Sequence, residues 1–210
     1  MTNFVLKIQD NPLLLEIYHK VASIIQILPY YITEEKFDER NEINVPLKKE
    51  DLQIELLPRN EIESLAHHEE SNVAATEWIQ HVNNGCLCMA VRYKGQIAAY
   101  SWCDPNYLRF KGRVVKLKQN EAALFGARTY KAFRGNNLAP YVRYEFYKLL
   151  KQRGIERFYS TTLWSNTSSM KFKRKLGARN VELSLYVGLF RKYRLHFRLR
   201  NLAGQSQVVS

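Results

Sequence analysis

The 210-residue chain has few covalent staples available to it. Its three cysteines (Cys86, Cys88, Cys103) cannot all pair and form no disulfide framework, so a reducing compartment, the cytoplasm, is expected. No apolar run approaches the ~18 residues that a membrane span needs. The first ten residues lack a basic region followed by a long apolar one, so a secretory signal is not expected. With 6 prolines and 9 glycines, 46% hydrophobic and 25% charged residues, the composition excludes disordered, collagen-like and low-complexity classes. A chain of this size buries roughly 70% of the surface its unfolded form exposes, enough for a core without staples. Acidic residues are scarce in one half. Residues 1–100 hold 9 Lys+Arg against 15 Asp+Glu, a net of −6. Residues 101–210 hold 23 against 5, a net of +18. A basic half of that size implies an anionic partner: a phosphorylated cofactor, nucleic acid or an anionic membrane.

Apolar spacing with Asn11 as cap and Pro12 in the first turn predicts a helix over 12–28, ended by Pro29, with a short strand at 30–33. Alternation at Leu52, Ile54 and Leu56 predicts a strand closed by Pro58. Asn60 with Glu63 has the form of a capping box opening a helix, and a second helix is expected over 72–83. Residues 86–93 and 96–102 flank Lys94-Gly95 as a hairpin. A basic linker or irregular strand follows over 105–120, then an apolar strand over 121–130, a polar turn over 133–139, and an amphipathic helix ending at Gly154. A strand at 157–163, a helix capped by Asn166 and closed by Gly177, and two strands at 180–190 and 192–200 complete the chain. The last strand alternates Tyr193, Leu195, Phe197 and Leu199 with basic residues, giving one apolar and one basic face. No internal repeat is present, and the order of elements predicts a mixed α/β sheet.

The stretch Tyr130-Lys-Ala-Phe-Arg134-Gly-Asn-Asn-Leu-Ala139-Pro joins a strand to a helix. Its glycine and asparagines let backbone N–H groups converge on an anion at a helix N-terminus, and Arg134 can reach a phosphate bidentately. An ordinary strand–turn–helix with a surface arginine would read the same way. The segment that follows the next strand, Asn166-Thr-Ser-Ser169-Met-Lys-Phe172-Lys-Arg-Lys175-Leu-Gly177, separates the two readings. Together the segments resemble the GNAT superfamily of N-acetyltransferases. Its pyrophosphate loop reads Arg/Gln-x-x-Gly-x-Gly/Ala, here Arg134-Gly135-Asn136-Asn137-Leu138-Ala139. Its next motif reads Asn-x-x-Ala/Ser-x-x-Leu/Phe-Tyr-x-Lys-x-Gly, met by Asn166, Ser169, Phe172, Lys175 and Gly177. The resemblance covers about residues 50–190.

The resemblance implies an α/β (α+β) fold: a mixed, mostly antiparallel sheet with one splayed parallel strand pair, flanked by helices. Residues 1–48 would be an N-terminal helical extension, 49–200 the acyltransferase domain and 201–210 a tail. It also implies an N-acetyltransferase that uses acetyl-CoA as co-substrate and no metal. The cofactor would lie between the strands at 121–130 and 157–163. Backbone groups of Arg134, Gly135, Asn136, Asn137, Leu138 and Ala139 would hold the pyrophosphate. Those of Ala127, Arg128 and Thr129 would pair with the pantetheine arm, and Asn166 and Ser169 would bind nearby. An unidentified primary amine would attack the thioester directly. Asn137 departs from the family's glycine, at about 1 kcal/mol for left-handed backbone. Lys173 stands where the family carries the tyrosine that protonates the thiolate. Tyr130, Tyr159 and Tyr186 are alternative donors, and thiolate with a reference pKa near 8.5 can also leave unaided. Glu121 is either the base or a solvated strand-end carboxylate.

Other signals carry less. Cys86, Cys88 and Cys103 read as buried apolar residues rather than metal ligands. His67-His68-Glu69-Glu70 reads as a solvated helix end, while His19 and His81 read as structural. Trp102 and Trp164, at strand ends near the cleft, could line the acceptor site, but core packing is the more frequent fate of tryptophan. The alternative to an enzyme is a GNAT-like binding module whose basic surface meets nucleic acid or an anionic membrane. A further alternative has an acyl carrier protein as donor.

Overall fold

The computed structural model describes residues 24–66, 75–190 and 192–203. The described elements are β1 (Ile25–Glu35), β2 (Leu52–Leu56), α1 (Arg59–Ala66), α2 (Ala75–Asn83), β3 (Leu87–Tyr93) and β4 (Gln96–Asp104), then β5 (Tyr107–Phe110), β6 (Arg113–Lys116) and β7 (Glu121–Thr129), and finally α3 (Leu138–Gln152), β8 (Arg157–Leu163), α4 (Thr167–Lys175), β9 (Arg179–Leu189) and β10 (Tyr193–Asn201), with three short 3-10 turns between. One eight-stranded sheet runs β10-β9-β1-β8-β7-β4-β3-β2, and β5 and β6 form a separate hairpin. Its pairings are antiparallel except β7 with β8, so the structure has the mixed sheet with one parallel pair that the sequence led us to expect.

The N-terminal expectation is corrected. Residues 25–28 belong to β1, and the rest of the expected helix over 12–28 lies outside the described residues except Ile24. β1 is an inner strand, antiparallel to β8 through Tyr30–Leu163 and to β9 through Ile27–Val187. Pro29 is accommodated without breaking it. The boundary expected at 48/49 therefore runs through a single sheet. The expected linker at 105–120 contains the β5–β6 hairpin, whose turn residues Lys111 and Gly112 both have positive φ, 49° and 93°, as a tight two-residue turn requires. The Asn60–Glu63 capping box is absent: Pro58 O accepts the first helical bonds, and Glu63 pairs instead with Arg59. His19, the pair His67-His68 and residues 204–210 lie outside the described residues.

α3 packs on one face of the sheet over Val91, Ala99, Cys103, Ala122, Leu124 and Phe158. On the other face α1 and α2 cover Cys88, Ala90, Tyr100 and Trp102, with Trp78 between them. The β5–β6 hairpin closes a third cluster of Leu108, Tyr30, Ile32, Ala123 and Tyr186. All three cysteines are free and buried, and burial pushes the Cys86 and Cys103 thiols up to about 12. β10 is an edge strand, and among the described residues nothing covers its apolar face. Tyr193, Leu195, Phe197 and Leu199 are each about half exposed.

One local feature shapes the site. Between Trp102 and Tyr100 β4 advances two residues, while β7 advances three, from Phe125 to Arg128. The extra residue is a β-bulge, and Gly126 within it has φ +58°. A Cβ there would sit 3.0 Å from Trp102 Cδ1. Parallel pairing of β7 with β8 runs only from Glu121–Arg157 to Ala123–Tyr159, after which the strands part. Gly126→Ala combines left-handed strain with that contact. It is expected to lower stability by about 1–2 kcal/mol, read as a lower urea midpoint at unchanged slope.

Candidate active site

Where β7 and β8 part, a cleft of about 630 Å³ opens. Its walls come from Ala127, Arg128 and Thr129 on β7, the turn around Phe133–Asn137, the start of α3, and Ser168, Ser169, Lys171, Phe172 and Lys175 on α4. The turn is built for close backbone approach. Gly135 has φ +87°, and Asn137, at the N-cap of α3, has φ 56° and ψ 22°, the left-handed conformation that asparagine tolerates. Asn137 makes no side-chain cap. Its amide instead donates to Asn44 O at 3.2 Å, and its Oδ1 accepts from Lys175 Nζ at 2.9 Å. The first bond inside α3 runs from Tyr141 N–H to Asn137 O. Leu138 and Ala139 N–H therefore precede the helical ladder, and Pro140 has no N–H to leave unpaired. The positive end of the helix dipole faces the same cleft. Arg134, Lys171 and Lys175 are exposed along its rim, and Arg134 Nε lies 3.4 Å from Thr129 O.

The structure thus brings together Ala127, Arg128, Thr129, Arg134, Gly135, Asn137, Leu138, Ala139 and Ser169. Asn136 and Asn166 stand outside the lining. The Asn136 amide turns back to Phe133 O at 3.1 Å. The Asn166 side chain caps α4 by accepting from Ser169 N at 3.0 Å, and so holds the cleft wall without entering it. Tyr130 is buried on the α1–α2 face, its ring 6.0 Å from Tyr100, at the end of β7. Glu121 does not join the cleft. It lies at the paired end of β7, where it accepts from Lys118 N–H at 3.1 Å. Ala127 is six residues further on, about 20 Å at strand rise. Trp164 is 62% exposed, and Trp102 is buried against Gly126. Tyr186 is buried under the hairpin, and Tyr159 is half-buried opposite Ala123 in the last parallel pair.

Lys173 is placed behind β8. Its Nζ donates to Ser160 Oγ at 2.6 Å and to Thr162 Oγ1, and lies 3.7 Å from Glu35 Oε1. Ser160 and Tyr147 hydroxyls donate to the Glu35 carboxylate, and Arg143 Nε is 3.8 Å from it. Glu35, Arg143 and Lys173 are 0%, 2% and 4% exposed. Burial is the largest influence and would raise the Glu35 pKa, but Arg143, Lys173 and the hydroxyls of Ser160 and Tyr147 together outweigh it, and the net shift is downward. Burial brings Lys173 down to about 8 despite Glu35. This network ties α4, β8, β1 and α3 together. The sequence reading missed Glu35 and Arg143. Arg143 sits on the apolar side of its helix, next to Val142, a place where an unpaired cation is out of keeping. Glu35 lies within the mixed, acidic and poorly patterned residues 30–50, which carry no such mark. Phe133, Pro140 and Phe172 complete the cleft wall, and Arg174 turns away to the opposite side of α4.

Residues 51–178 match the model of the acetyltransferase (GNAT) family, and the chain belongs to that family. No curated protein matches it. Among solved structures, a GNAT-family protein from Novosphingobium aromaticivorans superposes with a TM-score of 0.52 at 21% identity, over 79% of this chain and 66% of its own. A GCN5-related N-acetyltransferase-like protein from Streptococcus suis gives 0.53 at 17% identity, covering 85% and 68%. A GNAT-family acetyltransferase from Colwellia psychrerythraea gives 0.56 at 13%, covering 79% and 57%. The chain spans just under two thirds of the first of these. At such identities the likeness is one of fold.

Glu35→Gln leaves two buried cations without their anion. It is expected to cost about 3–5 kcal/mol, and Lys173→Met in that background should recover part of the loss in a urea titration. The Lys173 pKa of about 8 lies below its unfolded value near 10.4. Between those values the unfolded chain binds the proton that the folded chain has lost, so this group adds stability as pH rises from about 8 to about 10.4. Lys173→Met should flatten that rise.

Proposed function

We propose that the chain is an acyl-CoA-dependent N-acyltransferase that moves an acetyl group from acetyl-CoA to a primary amine by direct attack on the thioester. The observation that carries the reading is the cleft itself, which begins where the parallel pair parts and ends on the N-terminus of α3 among exposed cations. In this reading N–H groups from Arg134 to Ala139 hold the pyrophosphate, with Arg134, Lys171 and Lys175 around the phosphates. Backbone groups of Ala127, Arg128 and Thr129 receive the pantetheine arm, and Ser169 and Phe172 form the opposite wall. A β7 N–H beside the bulge stabilises the oxyanion, a contribution of about 3 kcal/mol for one preorganised donor.

The engaged amine of Lys173 argues for a structural role there, with the thiolate leaving unaided or taking its proton through water. An acyl carrier protein as donor would need the same loop for its phosphopantetheine arm. Family membership, the absence of competing motifs and the cleft favour catalysis over a purely binding module.

Acetyl-CoA at a hundred times its dissociation constant should stabilise the protein by about 2.7 kcal/mol. Arg134→Glu, by reversing a rim charge, should weaken that affinity at least tenfold in titration calorimetry. The absence of any stabilisation by acetyl-CoA would refute the assignment. Stabilisation without thioester cleavage over a panel of amines would mark the binding-module reading instead.

A further inference from the structure

The fork between β7 and β8 has a second face. Ala123 and Phe125 turn toward α2 and the hairpin, whereas Ala122 and Leu124 turn toward α3. Phe125 and Gly126 come two and three residues after the last parallel pair, so they stand at the vertex, the depth to which a thioester carried in from the α3 end would reach. Among the described residues one imidazole lies there. The His81 ring on α2 packs 4.9 Å from Phe125 and 5.3 Å from Trp102, the residue lying against Gly126. Its Nε2 is 3.8 Å from Glu77 Oε1, one helical turn earlier, and its side chain is 25% exposed. Glu77 also lines a cavity of about 740 Å³ on this face, with Gln80, Lys111, Tyr186 and Arg194. That cavity adjoins the helix that carries His81, reaching it through Glu77 and Gln80.

We infer that His81, oriented by Glu77, takes the proton from the acceptor ammonium at the vertex of the fork. This rests on the acyltransferase reading above. The carboxylate favours the ring proton on Nε2 and leaves the Nδ1 lone pair free. The ammonium gives one proton to Nδ1, and the resulting amine lone pair forms the C–N bond to the thioester carbonyl. The tetrahedral adduct then breaks its C–S bond. The sulfur departs with the electron pair as thiolate, and the remaining surplus N–H proton passes through water to it. The imidazolium returns its proton to solvent. Charged groups face the ring from three elements: Glu77 on α2, Asp104 on β4 and Arg109 on β5. Burial is the largest influence and lowers the imidazole pKa, Glu77 and Asp104 oppose it, and Arg109 adds to it. The ring is therefore neutral and able to accept at neutral pH. Sequence alone read His81 as structural, because its partner at the vertex is brought near only by the sheet.

The test is the pH profile of kcat/KM for thioester cleavage with an amine acceptor, measured beside thermal stabilisation by acetyl-CoA. His81→Gln should keep the stabilisation, lose about 10²-fold in kcat/KM and lose the acidic limb, within the range general bases contribute. Glu77→Gln should keep the limb but move it to lower pH, because the carboxylate raises the imidazole pKa. An acidic limb unchanged in His81→Gln, with a rate within twofold of wild type, overturns the role of His81 while leaving the acyltransferase reading intact. So does a rate loss in both variants with the limb unmoved, which marks a packing role. Wild-type protein that binds acetyl-CoA but acylates no amine overturns both. If glutamine at position 81 unfolds the chain, NMR titration of the wild-type imidazole decides. A midpoint matching the acidic limb supports the role, and a mismatch overturns it.

Discussion

An extra residue in one strand governs the rest of the site. β4 and β7 are of equal length, yet β7 carries one residue more between its pairings to Trp102 and Tyr100, and the bulge at Gly126 turns its second half away from β8. Hydrogen bonds that would have closed the parallel pair are left unmade, and backbone polar groups on facing strands become available to something other than each other. The cost is concentrated at a residue without a side chain, against a tryptophan that leaves no room for one. The turn after β7, the helix it feeds and the rim cations all take their positions from that divergence.

A cleft held open between two strands needs its walls fixed from behind. The buried Glu35 cluster does this for the α4 wall. Two cations and one anion in the interior depend on one another; among the described residues Arg143 Nε and Nη1 make no hydrogen bond, and the guanidinium faces the Glu35 charge at 3.8 Å. Here hydroxyls from Tyr147 and Ser160 donate to the carboxylate, and Ser160 and Thr162 accept from the ammonium. The same contacts engage the amine of Lys173. The side chain has been drawn into the framework behind β8, away from the cleft. Asn166 contributes in the same manner, capping α4 so that Ser169 faces the opening.

Much of this was legible in the sequence where local rules operate. Period-two alternation marked β2, the Lys94-Gly95 turn placed the β3–β4 hairpin, and Asn166 with Gly177 delimited α4. The loop at 134–139 could be read because its backbone demands particular residues. Two kinds of feature could not be read. Residues 25–28 fit helical spacing as well as a strand, and only the vacancy between β8 and β9 decides for the strand; tertiary pairing overrides propensity there. Long-range clusters leave no periodic trace either. Glu35 meets Lys173 and Arg143 across more than a hundred residues, and His81 meets Phe125 only through the folded sheet. Glu121, read as either the base or a strand-end carboxylate, stands at the paired end of β7, where it accepts from Lys118 N–H.

β1 comes from outside the 51–178 segment that carries the family's signature, and yet it fills the place between β8 and β9. Its partners lie about 120 to 165 residues further along the chain. During synthesis its pairing partners β8 and β9 therefore emerge long after it. Closing so large a loop is the slow entropic step of assembly. A protein trimmed to its family segment would expose β8 as a raw edge. The two parts of the sheet, β9 with β10 and β8 through β2, are thus joined only through β1.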